Sequence, residues 1–168
     1  MDQTQIDKAQ QKWIKRACYV EKALGGKCLQ IGQGRKPIPW VVNVDPNPDR
    51  WAWSDVAGDA LALPFESGSF DAIVSSHVLE HLRDLLVGIR EMLRVMKMGG
   101  QMYHVIPDAR YTPHRESHRH PFAHHHSERH GPIHFGAAIA DIPGLQVCRL
   151  ENFPGFDWSF RLIGRKVS

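Results

Sequence analysis

Ser69-Phe70-Asp71-Ala72-Ile73-Val74-Ser75-Ser76-His77-Val78-Leu79-Glu80-His81-Leu82 is the stretch on which the fold turns. A small, polar turn, Glu66-Ser67-Gly68-Ser69, leads into it. Phe70 to Val74 is then a short apolar run of the kind that forms a buried strand. From Leu79 onward the spacing changes. Leu79, Leu82, Leu85, Leu86, Ile89, Met92, Leu93 and Met96 recur at three and four, which predicts one continuous helix closed by Gly99-Gly100. Gln101 to Ile106 reads as the next strand, stopped by Pro107. Strand, helix and strand in succession form the unit from which parallel sheets are built.

The same alternation extends outward. Lys27 to Ile31 is a strand running into Gly32, Trp40 to Val44 is a second, ended by Asp45-Pro46, and Val56-Ala57 is a short third. Ile6, Ala9, Trp13, Ala17, Val20 and Leu24 share one helical face, so an N-terminal helix is expected over residues 5–24, stopped by Gly25-Gly26. Towards the other end, Phe135 to Ile142 is a candidate short helix. Leu145 to Asn152 and Phe156 to Ile163 read as an antiparallel hairpin around Phe153-Pro154-Gly155. The expected architecture is a single α/β domain over residues 1–168, mostly parallel, with antiparallel strands at one edge. In such sheets the ligand crevice lies at the carboxyl ends of the strands.

Composition narrows the function classes. The chain has 168 residues, 42% hydrophobic and 23% charged, which matches a globular domain rather than a disordered one. No apolar run reaches the ~18 residues of a membrane span, and the polar start Met1-Asp2-Gln3-Thr4-Gln5 is not a secretory signal. Three scattered cysteines make no disulfide framework, so a reduced, cytoplasmic protein is expected. A net charge of +3 without a dense basic stripe argues against nucleic acid as a partner.

Candidate binding residues fall at successive strand ends. Gly32 and Gly34 after the first strand permit a tight turn and close ligand approach. Asp45 at the tip of the second is placed to accept both hydroxyls of a ribose, or to serve only as a turn aspartate before Pro46. Asp59, followed by Ala60 and Leu61, suits an adenine amino group and ring face, with a simple Asx turn as the alternative.

These patterns, taken with Leu63-Pro64-Phe65, the Ser69 to Leu82 stretch and Arg90-Glu91-Met92-Leu93-Arg94-Val95-Met96-Lys97-Met98-Gly99-Gly100, resemble the class I S-adenosylmethionine-dependent methyltransferases. The resemblance is to the methyltransferase type 11 branch, and it runs from about Lys27 to Asp108. It implies a Rossmann-like sheet with a C-terminal antiparallel hairpin, a reduced helix set, and S-adenosyl-L-methionine as cofactor. It also implies cofactor contacts at Gly32, Gly34, Asp45, Asp59, Ala60, Leu61 and His77, with His77 capping the next helix as the alternative. His81 falls one turn later, and Glu80 reads as a first-turn residue favoured by the helix dipole.

Gln30 stands where the family has an acidic residue, and the connection to Trp40 is too short for a crossover helix. Lys36 or Arg35 could supply the charge that a helix N-terminus otherwise provides. The short spelling from Gly32 to Asp45, and Pro107-Asp108-Ala109-Arg110-Tyr111-Thr112, are similar to a branch linked to glycan and cell-surface biosynthesis. A small-molecule or glycan acceptor follows, methylated at oxygen or nitrogen.

Eight of the eleven histidines fall between His114 and His134, in a long irregular loop over residues 108–134. Long loops in compact domains are lids, binding loops or disordered segments. Imidazoles there suit zinc or nickel, yet no cysteine or carboxylate stands at a recognisable ligand spacing, so no metal residues are assigned. Candidate bases for an oxygen acceptor are His104, Asp108 and His114. Trp51 and Trp53 suit either an aromatic wall or core packing. A non-catalytic methyltransferase-like subunit and a histidine-rich metal-binding protein are the alternative functions.

Overall fold

The computed structural model describes residues 8–9, 11–16, 26–32, 37–47, 54–108, 132–153 and 156–168. Seven strands form one sheet: β1 (Cys28–Ile31), β2 (Val42–Asp45), β3 (Val56–Ala57), β4 (Phe70–Ser76), β5 (Met96–Pro107), β6 (Leu145–Phe153) and β7 (Phe156–Lys166). Their order is β3-β2-β1-β4-β5-β7-β6. β1 to β5 pair in parallel, while β7 is antiparallel to both β5 and β6. Residues 8–9 and 11–16 are helical (α1), and α2 (Leu85–Val95) and α3 (Pro132–Ile139) complete the regular helices among the described residues.

Alternation along the strands splits the core between the two faces of the sheet. Leu29, Ile31, Ile73 and Met102 pack with Ile89 and Met92 of α2 and Phe135 and Ile139 of α3. Cys28, Ala72, Val74 and Val105 turn the other way, towards Ile14 of α1 and Ile38. Trp13 meets Tyr103 edge to face at 6.0 Å, and the Arg161 guanidinium lies 5.7 Å from the Trp13 ring. The mostly parallel α/β sheet with an antiparallel end is as the sequence predicts.

Element boundaries differ in informative ways. The helix expected from Leu79 is two pieces: a 3-10 turn, Leu79–His81, and α2 from Leu85. Leu82 is extended, and Asp84 restarts the helix by accepting the Val87 N–H at 3.0 Å. Gly99-Gly100 does not close the helix but lies inside β5, because Met96 is already extended and pairs with Phe70. The ladder jumps from Phe70↔Met96 to Ala72↔Gln101, so the intervening residues bulge. Gly100 is needed there: a Cβ would stand 2.9 Å from the Lys97 carbonyl oxygen and 3.0 Å from that of Asp71.

β2 begins at Val42 rather than Trp40. The Asn43 amide donates to the carbonyls of Ile38 (3.2 Å) and Val41 (3.0 Å), holding that segment in a turn. The short helix starts earlier than Phe135, at Pro132, whose missing N–H costs nothing in a first turn. Of the helix expected over 5–24, residues 5–7, 10 and 17–24 lie outside the described residues, as do Trp51, Trp53 and residues 109–131.

Candidate active site

Register brings the expected ligand residues to one edge. Ile31 pairs with both Val44 and Ser75, Asp45 with Ala57, and Ser76 with Val105. The residues that follow, Gly32, Gly58-Asp59, His77 and Asp108, therefore share the carboxyl edge with Asp45. Backbone bonds tie that edge together: Gly32 N–H to Val44 O at 2.9 Å, Gly58 N–H to Asp45 O at 3.1 Å and His77 N–H to Val105 O at 2.9 Å.

Gly32 has φ +64°, and a Cβ there would sit 2.5 Å from Val78 Cγ2, so both conformation and space require glycine. Gly34 lies outside the described residues. Asp45 is buried, and its Oδ1 accepts the Asn47 N–H at 3.0 Å. A carboxylate offers about four acceptor positions, so this one bond leaves capacity for a diol. Asp59 is exposed and forms an Asx turn, Oδ1 accepting the Leu61 N–H at 2.9 Å; Ala60 is buried and Leu61 half-buried. His77 ends β4 with φ 56°, in the left-handed region that a non-glycine residue enters only under local constraint.

Beyond that edge, His104 faces the α2–α3 side of the sheet. It is fully enclosed, with Nδ1 2.7 Å from Ser75 Oγ and Nε2 without a hydrogen bond. Burial lowers its pKa to about 3. This is the setting of a neutral hydrogen-bond partner rather than of an exchanging base. Asp108 is fully buried at the end of β5. His114 lies outside the described residues.

Several motif residues hold the chain to itself. Asp71 Oδ2 accepts the Lys27 N–H at 2.7 Å, and Lys97 Nζ reaches both oxygens at 2.9 and 2.8 Å, clamping the starts of β1 and β5 to β4. Partial burial pushes the Asp71 carboxyl up, but these donors together bring it below its ordinary value. Arg94 donates to Leu63 O (3.0 Å), Phe65 O (2.9 Å) and Glu91, and Glu91 accepts the Leu63 N–H at 2.8 Å. The Arg94 guanidinium, bonded to the Glu91 carboxyl, holds it below its usual range against the push of burial.

Gln30 has a comparable task. Its buried Oε1 accepts the Ile38 N–H at 2.8 Å, so this amide secures the short connection that replaces a crossover helix. A cavity of about 500 Å³ opens at the opposite, amino ends of β1 and β2, lined by Lys27, Cys28, Trp40 and Asp55.

Residues 35–104 match a family model described as a methyltransferase domain. The sheet superposes on a SAM-dependent methyltransferase from Aquifex aeolicus with TM-score 0.60, at 14% identity, covering 85% of this chain and 83% of that one. The chain thus has the fold of that methyltransferase, and residues 35–104 are similar to a methyltransferase domain. Locally the likeness is closer. A demethylmenaquinone methyltransferase of Roseiflexus castenholzii is 53% identical over 45 residues, 27% of this chain and 19% of that protein. The ajmaline N-methyltransferase of Rauvolfia serpentina is 33% identical over 88 residues, 45% of this chain and 30% of that protein. The chain thus spans less than a third of the length of either relative.

At the carboxyl edge, sequence reasoning missed Glu80. It was expected as a first-turn residue favoured by a helix dipole; it is also buried, on a single 3-10 turn, with both oxygens unbonded. Its position between Leu79, which is buried, and the break at Leu82 was the available signal, since the helical period assumed for Leu79 to Met96 concealed the short turn. The clamping roles of Asp71, Arg94 and Gln30 were also invisible, because their partners lie far away in the chain.

Proposed function

We propose that this chain is an S-adenosylmethionine-dependent methyltransferase acting on oxygen or nitrogen of a small-molecule or glycan acceptor. The observation that carries the reading is the convergence of Gly32, Asp45, Asp59 and His77 on the carboxyl edge of the parallel strands, in a chain with a methyltransferase domain match. The Asp45 carboxyl, buried at a strand tip with acceptor capacity left, fits a ribose diol.

When bound, the cofactor supplies an electrophilic methyl group on a sulfonium. Asp45 then holds the ribose hydroxyls, Asp59, Ala60 and Leu61 flank the adenine, and Gly32 and Gly34 border the methionine end beside His77. The protein's chief task is alignment for in-line displacement. Of the three candidate bases, Asp108 follows β5 at the ligand edge and His114 belongs to the histidine-rich segment after it, whereas His104 faces the core. Asp108 and Arg110 are the residues assigned to the acceptor side, in a cytoplasmic enzyme. No helix of the described residues is long and apolar enough to cross a membrane.

Calorimetric titration with S-adenosylmethionine and S-adenosylhomocysteine tests this directly. One-to-one binding is expected, with on the order of 2.7 kcal/mol of added stability at about 100 times the dissociation constant. A folded chain that binds neither would instead be a non-catalytic methyltransferase-like module.

A further inference from the structure

Among the described residues, Glu80 is the buried carboxyl group with neither oxygen hydrogen-bonded. The 3-10 turn that carries it places Oε1 3.8 Å from His77 Nδ1 and 3.8 Å from His81 Nε2. Both imidazoles are over a third exposed, while Glu80 between them is enclosed. β5 and α2 pack against this turn. The buried residues of α2 are Gly88, Ile89, Met92, Leu93 and Val95, none of which titrates. The buried titratable group of β5 is His104, which is neutral down to a pKa of about 3. Among the described residues, the imidazoles of His77 and His81 are the ionisable groups within 4 Å of the carboxyl.

Burying a carboxyl group without partners is costly, and leucine at this position would avoid the cost. Perturbed, enclosed acids of this kind concentrate where chemistry is done. His77, three residues earlier, is itself held at φ 56° on the ligand edge. We propose that Glu80 is a positioning residue for His77: the carboxyl group and His77 Nδ1 share one hydrogen bond, which decides whether His77 presents an N–H or a lone pair at the strand-end edge. The role rests on the reading of that edge as the cofactor and acceptor site. The Oε1–Nδ1 separation is 3.8 Å, and the shared hydrogen bond forms as it shortens, in the ligand-free chain as well.

The proton inventory is simple. Burial raises the Glu80 pKa to about 8, opposed by its own backbone N–H. Below that pH the protonated carboxyl donates to Nδ1, and the imidazole proton sits on Nε2. Above it, one proton leaves to solvent, the carboxylate accepts from Nδ1–H, and Nε2 becomes a lone pair able to take a proton from an acceptor hydroxyl.

Long-range 1H–15N correlation spectra of the histidine side chains test this in the full chain without ligand, with His77 assigned from a His77→Gln variant. The expected result is a change of the His77 tautomer from Nε2–H to Nδ1–H as pH rises from 6.5 to 9.5. Glu80→Gln mimics the protonated acid and should hold Nε2–H throughout. Glu80→Leu should abolish the change without lowering the melting temperature, so a folded comparison survives. A wild-type tautomer that is the same at both pH values, or that changes equally in Glu80→Gln, overturns the proposal. S-adenosylmethionine titrated into the same wild-type sample separates the two questions. Absence of binding overturns the ligand-site reading, and the positioning role with it, whatever the spectra show.

Discussion

The residues that clamp the starts of the strands and those at the carboxyl edge of the sheet come from the same few motifs, yet their environments are opposite. Asp71, Glu91 and Arg94 are paired, each bonded to backbone groups or to an opposite charge. At the carboxyl edge of the sheet, Glu80 is enclosed with both oxygens unbonded, His77 holds an unusual backbone angle, and Asp45 has one bond where a carboxylate could take several. Much of what makes the sequence pattern diagnostic is therefore architecture. The proposed chemistry lies in the few positions that the architecture leaves unsatisfied or strained.

Substitutions at the two ends should separate these roles. The largest effect is expected for Asp45→Ala, which removes charged acceptors from the proposed ribose site. S-adenosylmethionine affinity should fall about 100-fold, or ~2.8 kcal/mol, by calorimetry, with the fold intact. Unchanged affinity would take Asp45 out of the site.

Arg94→Ala should do the reverse, costing about 2 kcal/mol of stability once its partial exposure is allowed for. That corresponds to a melting temperature roughly 4–8 °C lower, with the affinity of the folded fraction kept. If Arg94→Ala weakened binding without destabilising the chain, the division between clamp and site would fail.

Glu80→Leu should stabilise the protein on the alkaline side. The folded-state pKa of Glu80 is raised from 4.5 to about 8, so its contribution is fully present below pH 4.5 and is lost as pH rises towards 8. The leucine variant escapes that loss, and about 1–2 kcal/mol of added stability at pH 8.5 is the expected outcome of urea denaturation. Equal pH profiles would mean that the carboxyl is solvated in solution.

The smallest effect belongs to Asp71→Asn, which keeps an acceptor for the Lys27 N–H but loses the attraction of Lys97. About 0.5–1 kcal/mol is expected, screened by salt. A loss as large as that of Arg94→Ala would show the two clamps to be comparable.

The sheet was legible because burial on one or both faces imposes a period on each strand, and that period is local. Phe70 to Val74 and Gln101 to Ile106 could be recognised without knowing what they touch. The helix at Leu79 was misread for a related reason: leucines at three and four continue across the break, since both pieces face the same core. Only the Asp84 cap and the extended Leu82 divide them. Gly99-Gly100 was misplaced because a glycine pair serves a helix end and a β-bulge equally well, and the neighbouring strand decides between them.

Site residues were legible in position rather than in state. Asp45, Asp59 and His77 could be placed at strand ends by counting, and the register sets them on a common edge. Their surroundings could not be counted. His104 seemed a candidate base from its place near the end of β5, but alternation turns it inward beside Ser75. Gln30 seemed a lost acidic ligand, but its amide meets the Ile38 N–H across the short loop.

By itself, the sequence determined the alternation of elements, the parallel sheet with its antiparallel end, and the positions of the strand tips. Periodicity and turn chemistry act over a few residues and need no partner. Tertiary structure alone decided which polar groups are satisfied: Asp71 and Arg94 bonded, His104 neutral, Glu80 enclosed between two imidazoles. Hydrogen bonding and desolvation depend on what approaches from distant parts of the chain, and proximity of that kind exists only once the sheet has formed.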